Sequence, residues 1–131
     1  MPARAIVEAP SHLGLRAAGV EALPEALLAA GLAERLGARR GTRLAIPAFN
    51  ATIDAATGLL NPHGLRDYAS QLADAVGAVL DEGTFPIVLG GDCTILLGIT
   101  LALRRRGRYG LPCDTRVLGI GQRQPAGDLL R

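Results

Sequence analysis

The stretch "FPIVLGGDCTILLGI", residues 85–99, decides the fold. Phe85 to Leu89 are an unbroken apolar run, as expected of a strand in a parallel sheet. Gly90 and Gly91 stop it with the residue type that allows a sharp turn and close backbone approach. Asp92, Cys93 and Thr94 follow, and from Ile95 the apolar residues take up a helical rhythm. A strand that passes through such a turn into a helix is half of a βαβ unit. In parallel α/β folds, ligands meet the chain beyond the carboxyl ends of the strands. Asp92 can accept hydrogen bonds from nearby backbone N–H groups. Cys93, at a helix N-terminus, is placed where a thiol is turned towards thiolate, as metal ligand or nucleophile. The blander reading makes Asp92 a cap and Cys93 a small filler.

Working upstream, Leu65, Tyr68, Ala69, Leu72, Val76, Val79 and Leu80 mark a helix over 65–80. Asn61 or a neighbour caps its start, and Gly83 suits its stop. "TRLAIPAF", 42–49, reads as a second strand, with Pro47 arguing for an edge or a strand end. Leu23, Leu27, Leu28, Leu32 and Leu36 mark a first helix, with Pro24 in its opening turn and Gly31 weakening or splitting it. "RAIVE", 4–8, reads as the first strand. The alternation of strand and helix predicts an α/β fold with a parallel sheet and helices on its faces. The third strand is expected to be covered on both sides.

The chain has 131 residues, 49% hydrophobic and 3% aromatic, without Trp. One domain with a core of Leu, Ala, Val and Ile follows. All fourteen basic residues are Arg and the net charge is +2. Arg104, Arg105, Arg106 and Arg108 cluster at a helix C-terminus, where the dipole favours cations. Nucleic acid and membrane are therefore not expected as partners. No transmembrane run and no leader pattern is seen, and a cytoplasmic location is expected. Cys93 and Cys113 are not read as a disulfide framework in that compartment.

The segment "FPIVLGGDCTILLG" resembles the first metal-ligand motif of the ureohydrolases: arginases, agmatinases and formimidoylglutamases, which carry Gly-Gly-Asp-His-Ser or a close variant after an apolar strand. "IVEAPSHLGL", "GVEALPEALLAAGL" and "TGLLNPHGLRDYASQLADAV" extend the resemblance over about residues 4–110. It implies a three-layer α/β/α fold and two Mn²⁺ ions. The ions bridge a hydroxide that attacks a guanidino or formimino carbon of a small substrate. Gly90, Gly91 and Asp92 then support the motif, His12 lies in a substrate-side loop, and Cys93 stands where the family has a metal-binding His. A thiolate is a softer ligand, weakening preference for Mn²⁺.

The resemblance breaks after Gly110. In the family a second motif, Asp-x-His-x-Asp, follows. Asp114 matches its first Asp, giving Cys93 and Asp114 as the metal-ligand candidates. Arg116 and Leu118 replace its other two ligands and cannot bind a divalent metal. The third motif, Asp-x-Asp, is not found, and Asp128 is not a convincing substitute. Residues 1–110 are thus read as the N-terminal half of an arginase-like domain and 111–131 as a divergent tail. Either the gene is a truncated or frame-shifted copy, or a short protein kept half a scaffold and lost the chemistry. The first is preferred, because the match ends abruptly rather than fading.

Whether the chain is itself an enzyme stays open. The leading reading is a hydrolase of linear amidine or guanidino C–N bonds at family level, inactive as this chain. One alternative is a non-catalytic scaffold or oligomerisation module. The other is a thiol enzyme using Cys93, with only His12 or His63 as base and Ile95 where a nucleophile elbow would want Gly. His63 is expected in a turn, Asp54 in a loop and Asp67 in a helix's first turn. Half of a doubly wound sheet leaves an uncovered edge, so marginal stability or a homo-oligomer is expected.

Overall fold

Ala5, Ile6, Val7 and Ala9 are wholly buried, and they lie on the strand around which the molecule is built. The computed structural model describes residues 1–14 and 19–110. Its strands are β1 (Arg4–Ala9), β2 (Ala38–Arg43) and β3 (Phe85–Gly90), and its helices are α1 (Leu23–Ala29), α2 (Leu32–Leu36), α3 (Pro62–Asp81) and α4 (Ile95–Arg104). A 3₁₀ turn, Val20–Ala22, precedes α1. The sheet order is β2-β1-β3, with both pairings parallel.

Alternate residues of β1 serve opposite layers, as the pleat requires. Ala5, Val7 and Ala9 pack against Tyr68, Leu72, Ala73 and Val76 of α3 and Ala102 of α4. Ile6 turns the other way and packs with Leu89 against Leu28 of α1 and Ala33 of α2. The result is a three-layer α/β/α arrangement. Gly98 lets α4 lie close on α3: a Cβ there would stand 2.7 Å from Leu72 Cβ.

The helices follow the periodicity. Pro24 is in the first turn of α1, and Gly31, at φ +84°, divides α1 from α2. Helix α3 begins at Pro62, three residues before its first apolar marker, and Thr84 N–H donates to Val79 O (3.2 Å) beyond its end. His63 is consequently inside that helix rather than in a turn, and Asp67 lies past the first turn. Asp54 is in a loop, where the Thr57 hydroxyl and then its backbone N–H hold its carboxyl below the usual range.

Two strand expectations are corrected. The second strand is Ala38–Arg43, not 42–49. It is an edge strand with mostly exposed side chains, so pairing with β1 fixes it rather than an apolar pattern. Leu44 N–H still donates to Glu8 O (2.9 Å), and Pro47 lies beyond that last bond. The fully covered strand is β1; β3 is half-buried because its outer side has no neighbour among the described residues.

Charges decorate this frame with two exceptions. Arg105 pairs with Asp74 (2.8 Å) and Arg106 with Asp81 (2.5 Å), so the Arg cluster ties the end of α4 to α3. Glu8, 3% exposed on the central strand, is held by Arg40 (3.3 Å) and Arg43 (3.7 Å) of β2. Asp92 is the other buried acid.

Candidate functional site

The carboxyl ends of β1 and β3 lie side by side, with Ala9 opposite Gly90. Each strand runs into a loop there: Pro10–Gly14 after β1 and Gly91–Thr94 after β3. Gly91, at φ +72°, presses against the first loop. A Cβ on it would stand 2.5 Å from Ser11 O, 2.6 Å from Ser11 N and 2.7 Å from Ala9 O. All three are backbone atoms, which cannot swing aside, so the position admits only glycine.

Asp92 fastens the two loops. Its side chain is almost wholly buried, at 4% exposure. Oδ2 accepts from Gly14 N–H (2.7 Å), and Oδ1 accepts from Thr94 N–H (3.1 Å) and from the Thr94 hydroxyl. Its own N–H donates to Ser11 O (2.9 Å). Asn61, the residue before α3, extends the clasp: its amide donates to Leu13 O (3.0 Å) and accepts from Asn50 N–H (2.7 Å). The side chain of Asn61 therefore does not cap its own helix.

Cys93 is exposed in the turn before α4. His12 faces the Glu21 carboxylate (Nδ1 to Oε2, 3.6 Å) and meets the Phe49 ring edge-to-face at 5.4 Å between centroids. Neither His12 nitrogen has a hydrogen-bond partner among the described residues, nor does Glu21 Oε2. Tyr68 of α3 is 6% exposed, and its hydroxyl is also unpartnered among them. Burial pushes the Tyr68 phenol well above the ordinary tyrosine range, and the negative charge of Asp92 adds to this.

Of the residues singled out from sequence, Gly90, Gly91, Asp92, Cys93 and His12 all stand on this rim. Asp114 lies outside the described residues, as does Cys113. Gly14, Glu21, Phe49 and Tyr68 were not singled out as site residues. Only Tyr68 carried a signal, as the one polar hydroxyl in the apolar stripe of α3.

The donor chemistry does not suit a pair of Mn²⁺ ions. Both Asp92 oxygens already serve protein donors, and the thiol at position 93 is soft where the metal wants oxygen or imidazole. Among the described residues, no group of three or more His, Cys, Asp or Glu side chains is arranged to hold a metal ion.

The family model "Arginase family" matches residues 3–115. The arginase of Staphylococcus aureus strain COL is 33% identical over 108 residues, an alignment covering 76% of this chain and 35% of that protein. The strain MRSA252 arginase is 31% identical over 110 residues. Among solved structures, arginase from Bacillus subtilis subsp. subtilis str. 168 superposes with a TM-score of 0.64 at 28% identity, covering 81% of this chain and 36% of that one. Arginase from Bacillus caldovelox gives 0.63 at 26% identity, covering 80% and 38%. The chain thus spans about a third of the relatives it matches. No helix among the described residues is long and apolar enough to cross a membrane.

Proposed function

The chain belongs to the arginase family, and from that premise we propose that its β1–β3 rim corresponds to the entrance half of a ureohydrolase site, whose substrates carry a linear amidine or guanidino C–N bond. We further propose that this chain does not hydrolyse such bonds on its own. In this reading residues 1–110 are the N-terminal half of an arginase-like domain and the rest is a divergent tail.

The observation that carries the proposal is the engagement of Asp92. Metal-assisted hydrolysis needs ligands that hold an ion and leave it a water to activate. Here the acid of the glycine-glycine motif is spent on Gly14 and Thr94, and its neighbour is an exposed thiol. What remains is a rigid rim with Glu21 and His12 at its mouth, of the right charge to meet a guanidinium but without a group to break it.

The test is release of urea or ammonia from small guanidino and formimino compounds, with Mn²⁺ or Zn²⁺ supplied. The full chain is expected to give no release above buffer, and Cys93→His alone is expected not to create it. Turnover by the wild-type chain that depends on added metal would refute the proposal.

A further inference from the structure

The two outer strands of the sheet differ in one respect that bears on association. The β2 edge carries Arg39, Arg40 and Arg43, and like charges along an edge oppose its pairing with a copy of itself. The β3 edge, Phe-Pro-Ile-Val-Leu-Gly, carries no charge at all. Phe85, 57% exposed, stands at its foot. Beside it runs an apolar cleft of about 480 Å³ between β3, α3 and α4, whose walls include Pro2, Val76, Leu80, Val88 and Leu103.

The direction of the backbone groups is fixed by one bond. Phe85 N–H donates to Ala3 O (2.8 Å), on the β1 side. Polar groups alternate along a strand, so Phe85, Ile87 and Leu89 address β1. Pro86, Val88 and Gly90 therefore address the open side. Pro86 has no N–H and guards that side in part.

We propose that the β3 edge pairs with the β3 edge of a second copy of this chain, antiparallel, about a two-fold axis at Val88. In that register Val88 exchanges both backbone bonds with its own counterpart. Each Gly90 N–H meets the Pro86 carbonyl of the other copy. The only bond forgone is the one that Pro86 cannot donate, and it falls at the strand's end, where the facing Gly90 carbonyl can turn to water. Slipping the axis towards Phe85 would set Pro86 against the centre of the ladder and lose more. The interface is isologous, so it closes at two copies. The Val88 side chains meet at the axis and the two apolar clefts run on into one another. No charge is brought against its like, because Arg105 and Arg106 at the nearby helix end are already paired within the chain.

The test uses the full chain. Sedimentation at about 10 μM should show a dimer. Hydrogen exchange should show the Val88 and Gly90 amides protected, with protection lost on dilution. Phe85→Lys alters an exposed side chain and Val88→Lys sets two cations on the axis; each should raise the dissociation constant at least tenfold while circular dichroism stays unchanged. A monomer at about 100 μM would overturn the proposal. So would a dimer in which the Val88 amide exchanges freely, a monomer in which it is protected, or assembly beyond two copies.

Discussion

Asp92 Oδ2 accepts a hydrogen bond from Gly14 N–H at 2.7 Å across 78 positions of sequence. This bond joins the loop after the central strand to the loop after its neighbour. It gives the Gly-Gly-Asp motif a structural task that is complete without any ligand.

If the clasp is structural, removing it costs stability. Asp92→Ala leaves the N–H groups of Gly14 and Thr94 without their acceptor. Hydrogen bonds to a charged acceptor are worth about 2–3 kcal/mol together with the groups left orphaned. The urea midpoint of the full chain should fall accordingly, and Asp92→Asn, which keeps one acceptor oxygen, should lose less. Equal midpoints for all three proteins would contradict the clasp.

Gly91→Ala attacks the same junction through space rather than through a bond. The added methyl meets three backbone atoms at 2.5–2.7 Å, at a positive φ. Overpacking and backbone strain together should cost about 3 kcal/mol. A melting temperature within a degree of wild type would show that the two loops separate easily.

Tyr68 should behave in the opposite way. Its buried hydroxyl lacks a partner among the described residues, so Tyr68→Phe should be neutral or stabilising at pH 7. The raised phenol gives the pH sign. A group whose pKa is higher folded than unfolded contributes stability that is full below the unfolded value, about 10, and is lost as pH rises beyond it. Wild type should therefore weaken above pH 10 more than Tyr68→Phe does. The check is the difference in urea midpoint between the two proteins at pH 7 and pH 11; a gap that does not widen would count against it.

Cys93 should be open to reagents in the native protein. With Cys113 replaced by Ser, a disulfide reagent such as dithionitrobenzoate should modify one thiol without denaturant, because the Cys93 side chain is exposed. Modification only after unfolding would place the thiol inside.

Much of this was legible in the sequence because the deciding signals are local. The run 85–89, the glycines after it and the rhythm from Ile95 define β3, its turn and α4 without help from the rest of the chain. The same holds for Pro24, Gly31 and the stripe of α3. The second strand was misplaced because an edge strand owes its position to the partner's bonds, and "ARRGTR" has no pattern of its own. The apolarity of β3 misled in the other direction, since an uncovered edge and a buried strand read alike. At the rim, Asp92 as an acceptor of backbone N–H groups was readable from its place in the turn. That its chief donor is Gly14 was not, because nothing local announces a contact between loops brought together only by parallel pairing. Glu8 shows the same limit: its buried carboxylate on the central strand makes sense only beside Arg40 and Arg43 of the neighbouring one.

The most direct test of the account is a titration of the full chain with Mn²⁺, followed by the electron paramagnetic resonance signal of the free ion. With both Asp92 oxygens held by Gly14 and Thr94, the free-ion signal should be the same with protein as without it at micromolar metal. Stoichiometric loss of the signal, abolished by Asp92→Ala or Cys93→Ser, would show that the rim is a metal centre and that the clasp opens to make it.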